Sequence, residues 1–204
     1  MRPRLFRNKV ESLWRRAASQ DGMAAVEFAM LLPFMITLFF GVVESTLALL
    51  CRADVSIMAS TAADLISQAD TLASADVSNV YSAAGAILYP YYDPSKTGSA
   101  KPTIRITSVI YDTTAQSTTV GKVAWVCTQS GSGALTPSSR TVGSTVTLPQ
   151  ALLTSGGSVI MAEIAYSYAS PTTKVITGSI NFTTNFYTKP RRVPQIASPT
   201  GGCP

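Results

Sequence analysis

Two hydrophobic rhythms divide the chain. From Phe28 to Val43 there are sixteen residues without a charge, and past Glu44 the apolar character resumes through Ser45–Cys51. Read as a helix, Phe28–Leu50 is about 34 Å long at 1.5 Å per residue, enough to cross a hydrocarbon core of about 30 Å. Between Arg52 and Ala69 the helical period continues through Val55, Met58, Ala62, Leu65, Ile66 and Ala69. This stripe predicts an extension of the anchor helix out of the bilayer, packed on the domain that follows. A second, weaker helix is predicted over Asp76–Leu88, with Asp76 as its N-cap and a stop before Pro90.

After the connector "YPYYDPSKTGSAKP" the period changes to that of strands, and Thr, Val, Ile and Tyr dominate. Thr103–Tyr111, Val120–Cys127, Val159–Tyr168 and Gly178–Tyr187 read as strands, with Ile104, Ile106 and Ile110 on one face of the first. The first two are joined by "DTTAQSTT", which suits a hairpin with a long loop. Thr128–Ser158, rich in Ser, Thr and Gly, reads as a surface loop interrupted by "LPQALL". No fixed-period repeat is visible. The expected fold is α+β: a long N-terminal transmembrane helix, extended outside the membrane and packed on a mostly antiparallel β-rich domain. Residues 1–22 form a basic cytoplasmic leader, 23–51 the transmembrane helix, 52–89 an extramembrane helical region, and 90–204 the β-rich extracytoplasmic domain.

Composition agrees with one anchor and one modest core: 46% of the 204 residues are hydrophobic and only 13% charged. The net charge of +5 is concentrated at the start, where Arg2, Arg4, Arg7, Lys9, Arg15 and Arg16 face only Glu11 and Asp21. Phe6 and Trp14 among these arginines could stack on bases. Positive charge directly before an apolar run, however, is what holds a flank in the cytoplasm, so no nucleic-acid partner is expected. The run is too long for a secretory signal core, and no small-residue cleavage site follows it.

The chemistry available is sparse. There is no histidine, which removes Ser-His-Asp and Cys-His catalysis and histidine-based zinc sites. "GSGALTP" lacks the lysine of a phosphate loop, and Asp93, Asp112 and Glu163 read as isolated, solvated acids. No catalytic residue, metal or cofactor is expected. With the arginines inside, the body after Cys51 would face an oxidising compartment, where Cys127 and Cys203 could tie the tail "SPTGGCP" to a strand. Three cysteines leave three possible pairs. Cys51, at the membrane's outer edge, is the least convenient partner. "KPRR", Lys189 to Arg192, reads as a solvated strand exit.

Three residues interrupt the apolar run. Pro33 removes a backbone donor and frees the carbonyl of Ala29, a defect that membrane helices tolerate. Glu44 lies near the outer end, within reach of water or headgroups. Glu27 is the harder case, because an intramembrane acid is costly unless paired, hydrated or protonated. It could snorkel back to the headgroups. Alternatively, a cut between Gly22 and Met23 would create an α-amine four residues before Glu27, one turn away on the same helix face.

A basic leader ending in glycine, glutamate at the fifth position after it, then a hydrophobic helix, resembles the processing pattern of type IV pilin-like proteins. "DGMAAVEFAMLLPFMITLFFGVVE" more narrowly resembles the TadE-like minor pseudopilins of the Tad (tight adherence) pilus system. About 25 residues carry the close resemblance, with a looser likeness around "KVAWVC", "AEIAYSY" and "KPRR". The resemblance implies that a membrane-embedded aspartic prepilin peptidase cuts after Gly22, that Met23 becomes the N-terminus, and that Glu27 and Phe28 form an acid–aromatic pair. It also implies a non-enzymatic subunit supporting assembly of thin, adhesive Flp-type pili. Its implied partners are other pilins or pseudopilins, inner-membrane assembly proteins and membrane lipid. The implied place is the bacterial inner membrane, single-pass, with the C-terminal domain in the periplasm. The major Flp pilins usually carry tyrosine after the glutamate and are far shorter, so this chain looks like a minor component. The competing reading is an uncleaved single-pass membrane protein with an extracytoplasmic binding domain.

Overall fold

A computed structural model describes residues 20–149 and 151–204. The expectations for leader residues 1–19 lie outside the described residues.

One helix organises everything else. Helix α1 (Gln20–Ser67) is 48 residues long and runs through Pro33 without a break. Thr37 Oγ1 donates to the Pro33 carbonyl at 2.9 Å, as a hydroxyl one turn further on can. Among the described residues α1 is the helix long and apolar enough to cross a bilayer. Its two halves live in different surroundings. From Gly22 to Phe39 every residue is exposed, whereas from Glu44 onward one side is buried. The buried seam, Glu44, Ala48, Cys51, Val55, Met58, Ala62 and Ile66, recurs at three and four residues. Several of these side chains are small, which lets the helix lie close to a sheet.

That sheet has five antiparallel strands in the order β3-β2-β1-β4-β5. They are β1 (Thr103–Tyr111), β2 (Val120–Gln129), β3 (Thr145–Thr147), β4 (Ser158–Ala169) and β5 (Ser179–Thr188). Ile104, Ile106, Trp125, Ile160, Ile164, Tyr166 and Tyr168 form the face that receives α1. The indole of Trp125 donates to the Ile196 carbonyl at 2.8 Å, so its polar atom is satisfied inside this core.

The opposite face is covered too. Val109, Val123, Val146, Leu148, Leu153, Val159 and Met161 form a second cluster there. The expectation of a surface loop over Thr128–Ser158 is therefore corrected: it contributes the short β3, and Leu148 and Leu153 of "LPQALL" are buried. At Gly133 the same segment passes so close to β4 that an added Cβ would stand 2.2 Å from the Ala165 backbone.

Helix α2 (Ser74–Ala86) starts two residues earlier than its pattern suggests. Asp76 is not the N-cap. It sits in the first turn, where its carboxylate accepts the Ala73 N–H at 2.9 Å, and Ala73 occupies the cap position. Val77, Tyr81 and Ala84 of α2 complete the core on the flank of α1.

The fold gives the domain a membrane-proximal end. Strand β4 runs down to Ala169, the loop Ser170–Gly178 meets α1 at Glu44, and β5 climbs back until the Arg191 N–H donates to the Ser67 carbonyl at 2.9 Å. On the other side, the Tyr91 hydroxyl donates to the Leu47 carbonyl at 3.1 Å.

Candidate functional site

The exposed half of α1 carries the residues that the sequence singles out. Between Gly22 and Val43, Glu27 is the sole charged residue. Gly22, Met23, Glu27 and Phe28 are all exposed on the first turns, and no domain residue covers them. Met23 and Glu27 are separated by one helical turn, a rise of about 6 Å, so an amine at Met23 would face the carboxylate side of the same helix. Gly22 is not required by packing, because an added Cβ would meet nothing within 4 Å. A glycine inside a helix costs roughly 0.5–1 kcal/mol relative to alanine.

Glu44 has a role that its sequence position conceals. Instead of reaching water or headgroups, its carboxylate is fully buried under the β4–β5 loop. Oε1 accepts the Thr172 hydroxyl and, at 2.8 Å, the Lys174 N–H. Oε2 accepts the Val175 N–H at 3.1 Å and the Ile176 N–H at 2.5 Å. The Thr172 hydroxyl bond does most to lower the pKa, and with the three amides it outweighs the opposing effect of burial; the carboxyl is pulled down to about 2. Three successive amides converging on one anion form a backbone nest. Thr173 supplies the turn that aims them, at φ +50°, a left-handed conformation unusual for a β-branched residue. One signal for this site was available in the sequence: Glu44 continues the Val55, Cys51, Ala48 seam backwards by one more turn.

A second buried acid lies in the sheet. Glu163 is not a solvated surface group: it is buried on β4, opposite Arg105 of β1. Arg105 Nε donates to it at 2.7 Å, and Arg140 grips both its oxygens at 2.8 Å. Burial favours the neutral form of Glu163, but the Arg140 and Arg105 bonds prevail and hold the carboxyl below its ordinary range. Arg105 also donates to the Pro137 carbonyl at 2.8 Å, which pins the long β2–β3 connection over the sheet. The other two isolated acids also have partners: Asp112 is buried and pairs with Lys122 at 3.1 Å, and Asp93 pairs with Lys96 at 3.7 Å.

The remaining sequence candidates are all placed. Cys127 and Cys203 are disulfide-bonded, with Cα atoms 5.2 Å apart, which holds the tail against β2. Cys51 is not at an outer edge open to lipid. It is buried in the main core, and burial, with Asp54 nearby, pushes its thiol up to about 12. "KPRR" does more than exit a strand: Arg191 pairs with Asp64 of α1, and Arg192 with Asp70 at 3.4 Å. Among the described residues no group of three or more Cys, Asp or Glu side chains stands where a metal ion could be held.

A long apolar helix, bare over its first half and built into a sheet domain over its second, defines a single-pass, helix-anchored protein. Residues 22–64 match the family described as TadE-like protein. The N-terminal segment is therefore TadE-like, as its residues implied. The match opens on Gly22, includes Glu27 and Glu44, and leaves the whole sheet outside it, covering about a fifth of the chain. No curated protein and no solved structure matches the chain.

Proposed function

We propose that this chain is a pseudopilin-like, non-catalytic subunit that supports assembly of a Tad/Flp-type adhesive pilus. The carrying observation is that the TadE-like match begins at Gly22, on a bare helix whose one charged residue between Gly22 and Val43 is Glu27. A prepilin peptidase hydrolyses the Gly22–Met23 bond, the basic leader stays in the cytoplasm, and the sheet domain stands on the periplasmic side of the inner membrane. Positive charge before the span supports this orientation.

Removal of the leader gives Met23 an α-amine one turn before Glu27. In a parallel array of such helices, staggered by about one turn, the carboxylate meets the amine of a neighbouring pilin or pseudopilin. Glu27 then sets register between subunits, and Phe28 packs beside it. The test is Glu27→Ala in the native host. Processing stays largely intact, while co-purification of partner subunits and pilus production fall. Normal assembly in that variant would remove the register role.

A further inference from the structure

The membrane-proximal end of the sheet domain carries a surface that neither the pilus role nor the fold uses. Tyr89 is 67% exposed and Val175 45% exposed, although both lie beside segments fixed to α1. Val175 is held by its own amide on Glu44, and Tyr89 is two residues from Tyr91, whose hydroxyl is bonded to Leu47. On the bare side of α1, Leu49 and Leu50 are 65% and 53% exposed. Val175 stands beside Glu44, where the apolar run ends, Leu49 and Leu50 lie one to two turns further along the helix, and Tyr89 is near the Leu47 turn through Tyr91.

The level is informative. Glu44 and Leu50 are six residues apart, about 9 Å along the helix. The zone between the hydrocarbon core and the outside of the headgroups is roughly 5–8 Å thick on each side of a bilayer. If Gly22–Val43 fills the core, Glu44 and Val175 fall in that zone and Leu49 and Leu50 at its outer edge, with their side chains inclined back along the helix towards the membrane; tyrosine is favoured in such a layer. Two cations sit with it. Lys174 and Arg52 are exposed and make no ion pair among the described residues. Of the nearby acids, Glu44 is held by amides and Asp93 by Ser95 and Lys96, while Asp54, half-buried two residues past Arg52, makes no ion pair among the described residues.

We propose that this collar is a lipid-docking surface. Tyr89 and Val175, with Leu49 and Leu50, rest in the headgroup layer on the side of the membrane where the domain stands, and Lys174 and Arg52 contact the phosphates of anionic phospholipid. The nest around Glu44 fixes the β4–β5 loop at the depth where Val175 reaches the lipid. The domain is thereby held at a set height and tilt, and presents a constant side to neighbouring subunits. The proposal rests on α1 spanning the bilayer, and its test separates the two.

The full chain is reconstituted in two kinds of vesicle of phosphatidylcholine and phosphatidylglycerol, one with acyl chains brominated near the headgroup and one with acyl chains brominated near the chain end. Three single variants, Phe34→Trp in the span, Val175→Trp in the collar and Val142→Trp at the far end of the sheet, are compared with the unsubstituted chain. The added fluorescence of Phe34→Trp is quenched chiefly by chain-end bromine and that of Val175→Trp chiefly by bromine near the headgroup, while that of Val142→Trp is quenched by neither. Quenching of Phe34→Trp alone would overturn the collar and leave the anchor standing, as a surface turned to a protein partner would require. No quenching of Phe34→Trp would overturn the anchor and the collar together. Adding Lys174→Glu to Val175→Trp weakens the quenching; an unchanged signal would remove the phosphate contact.

Discussion

Glu44 of α1 and Ile176 of the β4–β5 loop are joined by a 2.5 Å hydrogen bond across 132 residues of sequence. Together with the bonds from Thr172, Lys174 and Val175, it fastens the membrane-proximal loop to the helix at the residue where the exposed apolar run ends.

This fastening depends on charge, and the direction of its pH dependence follows. The Glu44 carboxyl is held at about 2 in the fold against an ordinary 4.5, chiefly by the Thr172 hydroxyl. A depressed acid contributes stability that is fully present above its ordinary value and lost as pH falls through the folded one. Loop amides at Lys174–Ile176 are therefore expected to stay protected above about pH 4.5 and to lose protection progressively towards pH 2. Hydrogen exchange read by mass spectrometry, corrected for intrinsic rates, checks this; constant protection across that window would contradict it.

Glu44→Gln keeps the shape but removes the charge and one acceptor. Exchange at the three loop amides is expected to quicken by at least about tenfold, the scale of one charge-assisted bond, while β1 and β4 stay protected. Thr173→Gly acts the other way. It relieves a left-handed β-branched residue, so loop protection is expected to be unchanged or to rise, with the greater freedom of the unfolded glycine offsetting part of the gain.

The Glu163 network makes a sharper stability prediction. Glu163→Ala leaves Arg105 and Arg140 facing each other without their shared anion, and the loss is expected to be about 3–5 kcal/mol by denaturant titration of the detergent-solubilised chain. Arg140→Ala removes the less buried partner and leaves the Arg105 pair, so it should cost less. A Glu163→Ala loss under about 1 kcal/mol would show that the pairs only balance their own desolvation.

The cysteines differ in accessibility. Intact native chain exposed to iodoacetamide is expected to take no label, because Cys127 and Cys203 are bonded and Cys51 is a buried thiol held up to about 12. Reduction without unfolding makes exposed Cys203 available, whereas the buried Cys127 and Cys51 are labelled only on unfolding. Peptide mapping of the label decides; labelling of Cys51 in the native chain would contradict its place in the core.

What the sequence revealed was local. Thr103–Tyr111 was readable to the residue because alternating β-branched side chains mark a strand wherever it pairs. The anchor was legible because it is an unbroken apolar run, and its outer seam because it is periodic, although Leu65 of the expected stripe is exposed. The strand order was not, since nothing near β1 says that it lies between β2 and β4. The two buried acids were hidden for a related reason. Glu163 finds Arg105 from 58 residues away, and Glu44 finds its amides across more than 125. Backbone donors carry no side-chain signature, so a nest of N–H groups leaves only the anion visible. The Gly22–Glu27 spacing was legible because it is short and lies on one helix.

That spacing carries the central claim, and N-terminal sequencing with intact mass of the protein from its native membrane tests it most directly, beside a Gly22→Ala variant. A mature chain starting at Met23, with the leader retained in the variant, is the expected result. A full-length chain in both would contradict the account, leaving Glu27 without the amine that is proposed to balance it and making the chain an uncleaved, membrane-anchored domain.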